Sequence, residues 1–516
     1  MIPIRPPARS ILALLASTLL LAACNSPRGL LTNLGPDYRA PDPATPTAWA
    51  APVPPGPTTA KPAPDASARL SALRQWWTQF DDPLLPQLIE QAQTASPSLA
   101  LAASRVAQAR AQAVAAGAAG LPTLDAIASF NRAAFTFGGP VALRSQAQLG
   151  VQASWEIDLF GGLARQRESS QAQFEGSVAR WHEARVSVAA ETAQAYMNYR
   201  HCEMQRTLAE ADAASRQQTA RLTEAAARAG FQAPSTLALA QGSAADASST
   251  LTQRRTQCDV TLKALVALTA LDEARLRQRL AAVTGGDARG LPVPQRLNVD
   301  AVPAIVVAQR PDVAAAERDV AAASAQIGAA EAARYPRLTL AGAITPTRLT
   351  VSNQTVQATT WNIGPNLTVP LLDTGGRLAA NREAARAAYA AAASVYRAQV
   401  RQAVREVEEQ LLTLDSLGQR QADVDTAAGA YRRAYEGAQA RHRAGLGSLV
   451  ELEDARRTAL AAQALQANWQ LERVSAWIAL YRAVGGGWEP NAPASPGLSP
   501  ATATSNVNPT PTSPSP

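Results

Sequence analysis

Three cysteines and three histidines are the side chains of this 516-residue chain best suited to thiol or metal chemistry. The histidines, His182, His201 and His442, are scattered without metal-ligand spacing, and no phosphate loop, nucleophile elbow or catalytic carboxylate pair accompanies them. All three read as solvated helix positions. No cofactor, metal or enzymatic reaction is expected. The cysteines say more. Cys202 and Cys258 each lie 28 residues from Gly230, so an antiparallel helical hairpin turning there sets them opposite each other. Helix axes usually stand ~8–10 Å apart, and a disulfide needs Cα atoms within about 6.8 Å, so a close, alanine-rich approach is a condition. A Cys202–Cys258 disulfide is the expectation, with two buried free thiols as the alternative.

The elements that must position these residues begin at the N-terminus. Arg5 and Arg9 precede an apolar run from Ile11 to Leu21, too short to cross a bilayer as a helix, which reads as an export signal. The run ends in Leu21-Ala22-Ala23-Cys24, which resembles the lipobox of bacterial lipoproteins, where the cysteine becomes the lipidated N-terminus. An ordinary leader ending in small residues is the alternative. Asn25 rather than Asp follows, which by the same resemblance favours the outer membrane. The boundaries expected are a signal peptide over 1–23, a Pro-rich linker over 24–70 and a disordered tail over 489–516. No other segment has the ~20 uninterrupted apolar residues a spanning helix requires, so any spanning part must be a β-barrel. The net charge of +7 is spread along the chain, which leaves no basic stripe for nucleic acid.

Between linker and tail lies a tandem repeat. Pro97 pairs with Pro311, Pro122 with Pro336 and Gly161-Gly162 with Gly375-Gly376 at an offset of 214, and Arg228-Ala229-Gly230 pairs with Arg443-Ala444-Gly445 at 215. Repeat 1 is placed at 71–290, with a helix from Pro97 to Ala119, a β-hairpin at about 123–159 and a long helical hairpin at about 162–282. Repeat 2 is placed at 291–488, with a helix at 311–334, a β-hairpin at about 337–371 and a helical hairpin at about 376–484. From Gln146 to Leu159 the odd positions are apolar and the even ones polar or glycine, the mark of a strand with one wet face, long enough for a tilted membrane strand of ~9–11 residues. Trp361, Ile363, Leu367, Val369 and Leu371 keep that parity in the second copy, and weaker strands precede each near Leu124 to Arg132 and Leu338 to Thr347. Proline is absent from Val141 to Ala233 and from Leu371 to Glu489, where helix formers dominate. Leu163 to Arg228 alone makes a helix of about 100 Å. Val400, Val404, Val407, Leu411 and Leu414 step by four and three, as do Leu471, Val474, Ile478 and Tyr481, which is a coiled-coil seam.

Two hairpins supply only four membrane strands, while a closed barrel needs about eight or more. The barrel must be shared between chains and continued by the long helices as a hollow tube. The fold class expected is mainly α with a membrane β-barrel, long antiparallel helical hairpins forming an α-barrel, and two tandem repeats.

Several stretches then match a known family. They are Gly35-Pro36-Asp37-Tyr38; Trp76-Trp77 with Phe80 and Asp82-Pro83; Ser154 to Gly161; Gln309-Arg310-Pro311-Asp312; Gly364 to Pro370; Arg443-Ala444-Gly445-Leu446; and Tyr481 to Trp488. In their joint order and spacing the chain resembles the outer-membrane factor family, the TolC- and OprM-like ducts of tripartite efflux pumps. The resemblance implies a homotrimer with a twelve-stranded barrel, anchored in outer-membrane lipid, with a periplasmic adaptor and a proton-driven inner-membrane pump as partners. It places the two Arg-Ala-Gly turns, Arg228 to Gly230 and Arg443 to Gly445, at periplasmic tips that dock the adaptor; the plain alternative is a glycine C-cap beside a solvated arginine. It also implies a gate on the helix after the second turn, by position Val450 and Asp454, with Arg457 one further turn along the same face. Symmetry would gather the aspartates into a cation-attracting ring above an apolar constriction. An exposed helix carboxylate is the alternative, and Gly447 departs from the polar residue the family often has there. Rival functions are a duct for protein secretion or heavy metals, a periplasmic adaptor, and a coiled-coil lipoprotein without a lumen.

Overall fold

The computed structural model describes residues 29–53, 73, 75–136, 138, 141–284, 290–294, 303–351 and 354–488. The leader, Cys24, residues 25–28 and 54–70 of the expected linker, and the tail expected at 489–516 lie outside the described residues; the linker's described part packs on the body, with Trp49 and Ala51 buried in the core. A 3-10 turn (Trp76–Phe80) leads into α1 (Leu84–Ala95), α2 (Pro97–Ala118), β1 (Thr123–Phe135), β2 (Ala142–Ile157), α3 (Gly162–Arg228), α4 (Pro234–Thr269) and α5 (Glu273–Thr284). The second copy follows as α6 (Pro303–Ala308), α7 (Pro311–Ala332), β3 (Arg337–Val351), β4 (Gln354–Thr368), α8 (Arg377–Arg443) and α9 (Leu449–Ala483).

The repeat is closest in the long helices. Both α3 and α8 have 67 residues, about 100 Å each, and both start from a left-handed glycine, Gly161 at φ 77° and Gly376 at φ 69°. These two glycines are 215 apart, so the glycine pairing at 214 read from the sequence is one residue out. The second hairpin, 337–368, is three residues shorter than the first, 123–157, and the connection into the long helix, 369–376 against 158–161, is four longer, a net gain of one. A second difference concerns the first helical hairpin, which does not run unbroken to 282. Ala270, at φ 51°, ends α4 at Thr269, and α5 turns away as a separate helix. The turn buries Leu276 and Leu280 completely in the central core, which outweighs the roughly 1 kcal/mol cost of a left-handed alanine.

That core joins both repeats. Trp76 stacks on Tyr481 with ring centres 4.9 Å apart, and Phe80, Tyr196, Leu262, Leu411 and Trp477 close around them. The seam residues Val400, Val407, Leu411 and Leu414 are buried, as are Val474, Ile478 and Tyr481 of α9. Three of the short motifs are polar fasteners for this packing. Asp82 accepts from Tyr196 Oη at 2.7 Å, Arg200 Nη1 at 2.8 Å and Leu84 N at 3.0 Å, pinning the tryptophan turn to α3. Arg310 donates to Ala483 O at 2.7 Å, Asp312 at 2.6 Å and Glu406 at 2.8 Å, gathering α7, α8 and the end of α9. Arg165 holds Asp37 at 2.7 Å and Leu34 O at 3.1 Å. At that point Gly35 (φ +80°) lies against Gly328 so closely that a Cβ on Gly35 would stand 2.4 Å from the Gly328 Cα.

Candidate functional site: duct wall, gate face and helical tips

The four strands form one antiparallel sheet in the order β1-β2-β3-β4. Directly opposed residues of antiparallel strands share a face, so the register assigns every side chain to one side of the wall. Ala126, Val151, Ile344 and Trp361 form one continuous row, and Leu124, Ala153, Gly342 and Ile363 the row below it. On the other face Asp125, Gln152, Ala343 and Asn362 align, as do Ser129, Gln148, Thr347 and Ala358. Leu124, Phe130, Leu149, Val151, Trp361 and Ile363 are all exposed on the apolar side. An apolar face open to its surroundings opposite a polar one suits a wall with lipid outside and water inside. The strand expected from Gln146 has this parity. Val369 and Leu371 lie beyond the end of β4 at Thr368, while β4 begins earlier, at Gln354, in a polar stretch without alternation.

At the foot of the wall an aspartate caps each long helix. Asp158 accepts from Ala164 N at 2.8 Å, and Asp373 from Leu378 N at 2.9 Å and Ala379 N at 3.3 Å, carboxylates that favour a helix N-terminus. The N-terminal segment crosses the same junction: Leu30 N donates to Asp158 O at 2.8 Å and Leu31 N to Leu159 O at 3.0 Å.

At the far ends of the helices the two turns are alike. Phe231 N bonds Ala226 O at 2.9 Å and Gly230 N bonds Ala227 O at 3.0 Å; Leu446 N bonds Arg441 O at 2.9 Å and Gly445 N bonds His442 O at 3.0 Å. Each is a Schellman cap, and each needs its left-handed glycine, Gly230 at φ 78° and Gly445 at φ 75°. Arg228 is exposed and paired with Glu224, and Arg443 is exposed. Phe231 and Leu446, one residue past each glycine, project apolar side chains at 83% and 80% exposure. Gly447 fits a tight place, since a Cβ there would sit 3.3 Å from Arg441 Cβ, and its carbonyl lies 3.1 Å from His442 Nδ1.

Val450, Asp454 and Arg457 share one exposed face of α9, with Arg457 Nη2 3.3 Å from Asp454 Oδ1. Among the described residues, the side-chain bonds of Asp454 and Arg457 stay within α9. The adjoining face carries a contact that sequence reasoning missed. Arg456 is buried, pairs with Glu453 and reaches Asp212 of α3 at 3.5 Å; Thr219 of α3 donates to Glu453 at 2.9 Å. Only the tertiary fold distinguishes it from its exposed neighbour Arg457. Deeper in the body, Cys202 and Cys258 are joined by a disulfide with Cα atoms 5.4 Å apart, linking α3 to α4.

The histidines separate. His201 bonds Asn468 at 2.9 Å. His182 is not solvated as expected: it is 5% exposed, with Trp488 covering its face of α3, and neither ring nitrogen has a hydrogen-bond partner among the described residues. Burial lowers its pKa to about 4, helped by the nearby Arg185 charge, and it is held neutral. Among the described residues there is no cluster of potential metal ligands, and no helix is long and apolar enough to cross a membrane.

A family described as outer membrane efflux protein matches residues 88–271 and 302–486, the two copies of the repeat. The pyoverdine export outer membrane protein OpmQ of Pseudomonas putida is 30% identical over 491 residues, covering 93% of this chain and 98% of that protein. A toluene efflux pump outer membrane protein, TtgI, also of Pseudomonas putida, is 27% identical over 79% of this chain and 86% of its own length. Among solved structures, the outer-membrane channel OprN is similar at 29% identity and a TM-score of 0.74, covering 88% of this chain and 99% of that one. With both repeats matched and near-complete coverage of full-length relatives, the chain belongs to the outer membrane efflux protein family.

Proposed function

We propose that this protein is the outer-membrane channel subunit of a tripartite efflux system, a passive, gated duct that exports small organic compounds across the periplasm and outer membrane. The observation that carries the reading is the wall: four strands with segregated faces and two open edges, running directly into helices of about 100 Å. Open edges in lipid leave backbone groups without partners, so three copies pool twelve strands into one closed barrel. The polar face lines the lumen. Cys24 carries the lipid: five residues span at most about 18 Å, and Gly29 sits against the strand-to-helix junction, so the cysteine stays within reach of the periplasmic leaflet.

The Arg228 to Gly230 and Arg443 to Gly445 turns, with Phe231 and Leu446 beside them, dock a periplasmic adaptor. An inner-membrane, proton-driven pump supplies the energy, and the chain itself catalyses no reaction. Val450 and Asp454 on the exposed face of α9 meet their symmetry mates at the axis, giving an apolar constriction beside a ring of carboxylates, with Arg457 on the same face tempering that charge. Relatives named for pyoverdine export and toluene efflux support organic cargo. The test is reconstitution of the full-length protein in planar bilayers together with heat-modifiable migration. A trimer with small, cation-preferring closed-state conductance is expected. A monomer, or an oligomer without conductance, refutes the reading.

A further inference from the structure

The outward face of the wall, apolar over its lower rows and polar but uncharged at Ser145, Thr350, Thr355, Gln357 and Thr359, carries charge at two strand positions. The strands carry six charged residues, Asp125, Arg132, Arg144, Glu156, Arg337 and Arg348. By register Asp125, Arg144, Glu156 and Arg337 fall on the polar face, and only Arg132 and Arg348 on the apolar one. Both are arginines, both are exposed, and among the strand residues no acid shares their face.

Their depth is also shared. Arg348 lies ten residues above Leu338, near the foot of β3, or about 34 Å along the strand and about 26 Å vertically at a tilt of ~40°. That is the height of the apolar band of a membrane barrel, ~25 Å. Arg132 is opposite Ser145, itself opposite Thr350, one row higher. An arginine facing lipid is costly at the midplane and nearly free at the interface, so this placement is the one the bilayer tolerates. The end in question is remote from the helices and therefore extracellular.

A recess of about 410 Å³ opens beside Arg348, lined on the outward parity by Ala147, Leu149, Pro346, Arg348, Gln357 and Thr359. It coincides with a gap in the β2·β3 ladder, which is interrupted between Gln148↔Thr347 and Val151↔Ile344, where Pro346 has no N–H to donate. A cationic fork beside a recess of mixed lining, with the apolar Leu149 and Pro346 on its lower side and Gln357 level with the arginine, suits a lipid that offers phosphate and sugar above and acyl chain below. We infer that Arg132, Arg348 and the recess beside Pro346 form a binding site for a phosphorylated, multiply acylated glycolipid of the outer leaflet, one site per chain. The inference rests on the barrel reading above. In the assembled barrel β1 lies at a seam between copies, so lipid held by Arg132 also covers that seam.

The experiment uses the full-length oligomer in phosphatidylcholine nanodiscs doped with diphosphoryl lipid A, dephosphorylated lipid A or phosphatidylglycerol, with retained lipid counted by native mass spectrometry. Preferential retention of diphosphoryl lipid A is expected. Arg132→Gln and Arg348→Gln should each lower it about fivefold and the pair about thirtyfold, while Arg144→Gln, at similar height on the lumen face, leaves it unchanged. Equal retention of the three lipids by the unaltered protein overturns the site without any variant, and so does unaltered retention by the double variant. Planar-bilayer conductance separates the two levels: a conducting trimer without lipid preference refutes the site alone, and a non-conducting one refutes the duct.

Discussion

The tether between α9 and α3 makes a sharp demand on function. Arg456 has 5% of its side chain exposed, and its partners Glu453 and Asp212 have 17% and 21%. Removing one member of a buried pair costs about 3–5 kcal/mol when the partner is left uncompensated. Here Glu453 retains Thr219 at 2.9 Å and Asp212 retains Arg216 at 2.9 Å, so the loss in Arg456→Gln is smaller, about 2 kcal/mol. By contrast the Arg457–Asp454 pair, 53% and 74% exposed, contributes no more than about 0.5 kcal/mol to stability.

If α9 must leave α3 for the duct to dilate, about 2 kcal/mol becomes a rise of about thirtyfold in open-state occupancy. Single-channel recording of Arg456→Gln and Arg457→Gln in planar bilayers reads this directly. A third variant separates latching from folding. Arg456 Nε and Nη1 are buried without hydrogen-bond partners among the described residues, so Arg456→Met keeps the stem and removes two unmet donors. It should open as often as Arg456→Gln while losing less thermal stability. Open-state occupancy within twofold of the unaltered channel in both Arg456 variants would refute the tether, as would a larger effect from Arg457→Gln.

Three further outcomes follow from the same geometry. Val450→Ala with Asp454→Ala should raise closed-state conductance and reduce cation preference, and an unaltered pore removes the gate assignment. Replacing Cys202 and Cys258 with serine frees a loop of 56 residues, a chain-entropy loss of up to about 4 kcal/mol, so the melting temperature should fall and reduction of the native protein should add two titratable thiols; equal thiol counts before and after reduction contradict it. His182 has a folded-state pKa lowered from 6.5 to about 4, so its neutral form supports the fold fully above pH 6.5, and that support is lost as pH falls through the window between 6.5 and 4. The loss is on the order of 3 kcal/mol by pH 4, and His182→Phe should flatten the unfolding profile in that window, whereas an unchanged profile means the ring is already solvated.

What could be read from the sequence divides by range. Alternation in β2 and the turn glycines Gly230 and Gly445 depend on neighbours within a few residues, and each stands where local patterning places it. The start of β4 was hidden because Gln354 to Thr360 is mostly polar, with its apolar Val356 and Ala358 on the parity opposite to Trp361 and Ile363, and becomes a strand only by pairing with Thr345 to Val351. The break at Ala270 was hidden because nothing local marks it, and the core contacts of Leu276 and Leu280 decide it. His182 looked like any polar helix residue until Trp488, beyond the end of α9, covered it. Arg456 and Arg457 are adjacent and identical in type, yet one is buried against α3 and the other faces out. A helix turns each successive residue by about 100°, so a small error in the facing assignment exchanges a tether for a gate residue.

The two repeats use one scaffold for opposite ends. The first hairpin is stapled by Cys202–Cys258 and crossed at its base by the segment from Leu30 to Leu34. The second has no cysteine, and the acidic face of Val450 and Asp454 occurs only there, since Pro234 to Ala240 in the first copy contains no carboxylate. A duct that opens by tilting helices needs fixed staves and moving ones, and a homotrimer of identical single hairpins would have to move all or none. Duplication within the chain supplies both kinds in alternation around the ring. If the second hairpin moves against a fixed first one, the polar contacts of Arg456 and Glu453 with Asp212 and Thr219 lie where the moving stave meets the fixed one. Two engineered cysteines at that contact should lock the duct when oxidised, whereas a similar link between α3 and α4, already joined at Cys202, should leave conductance unchanged.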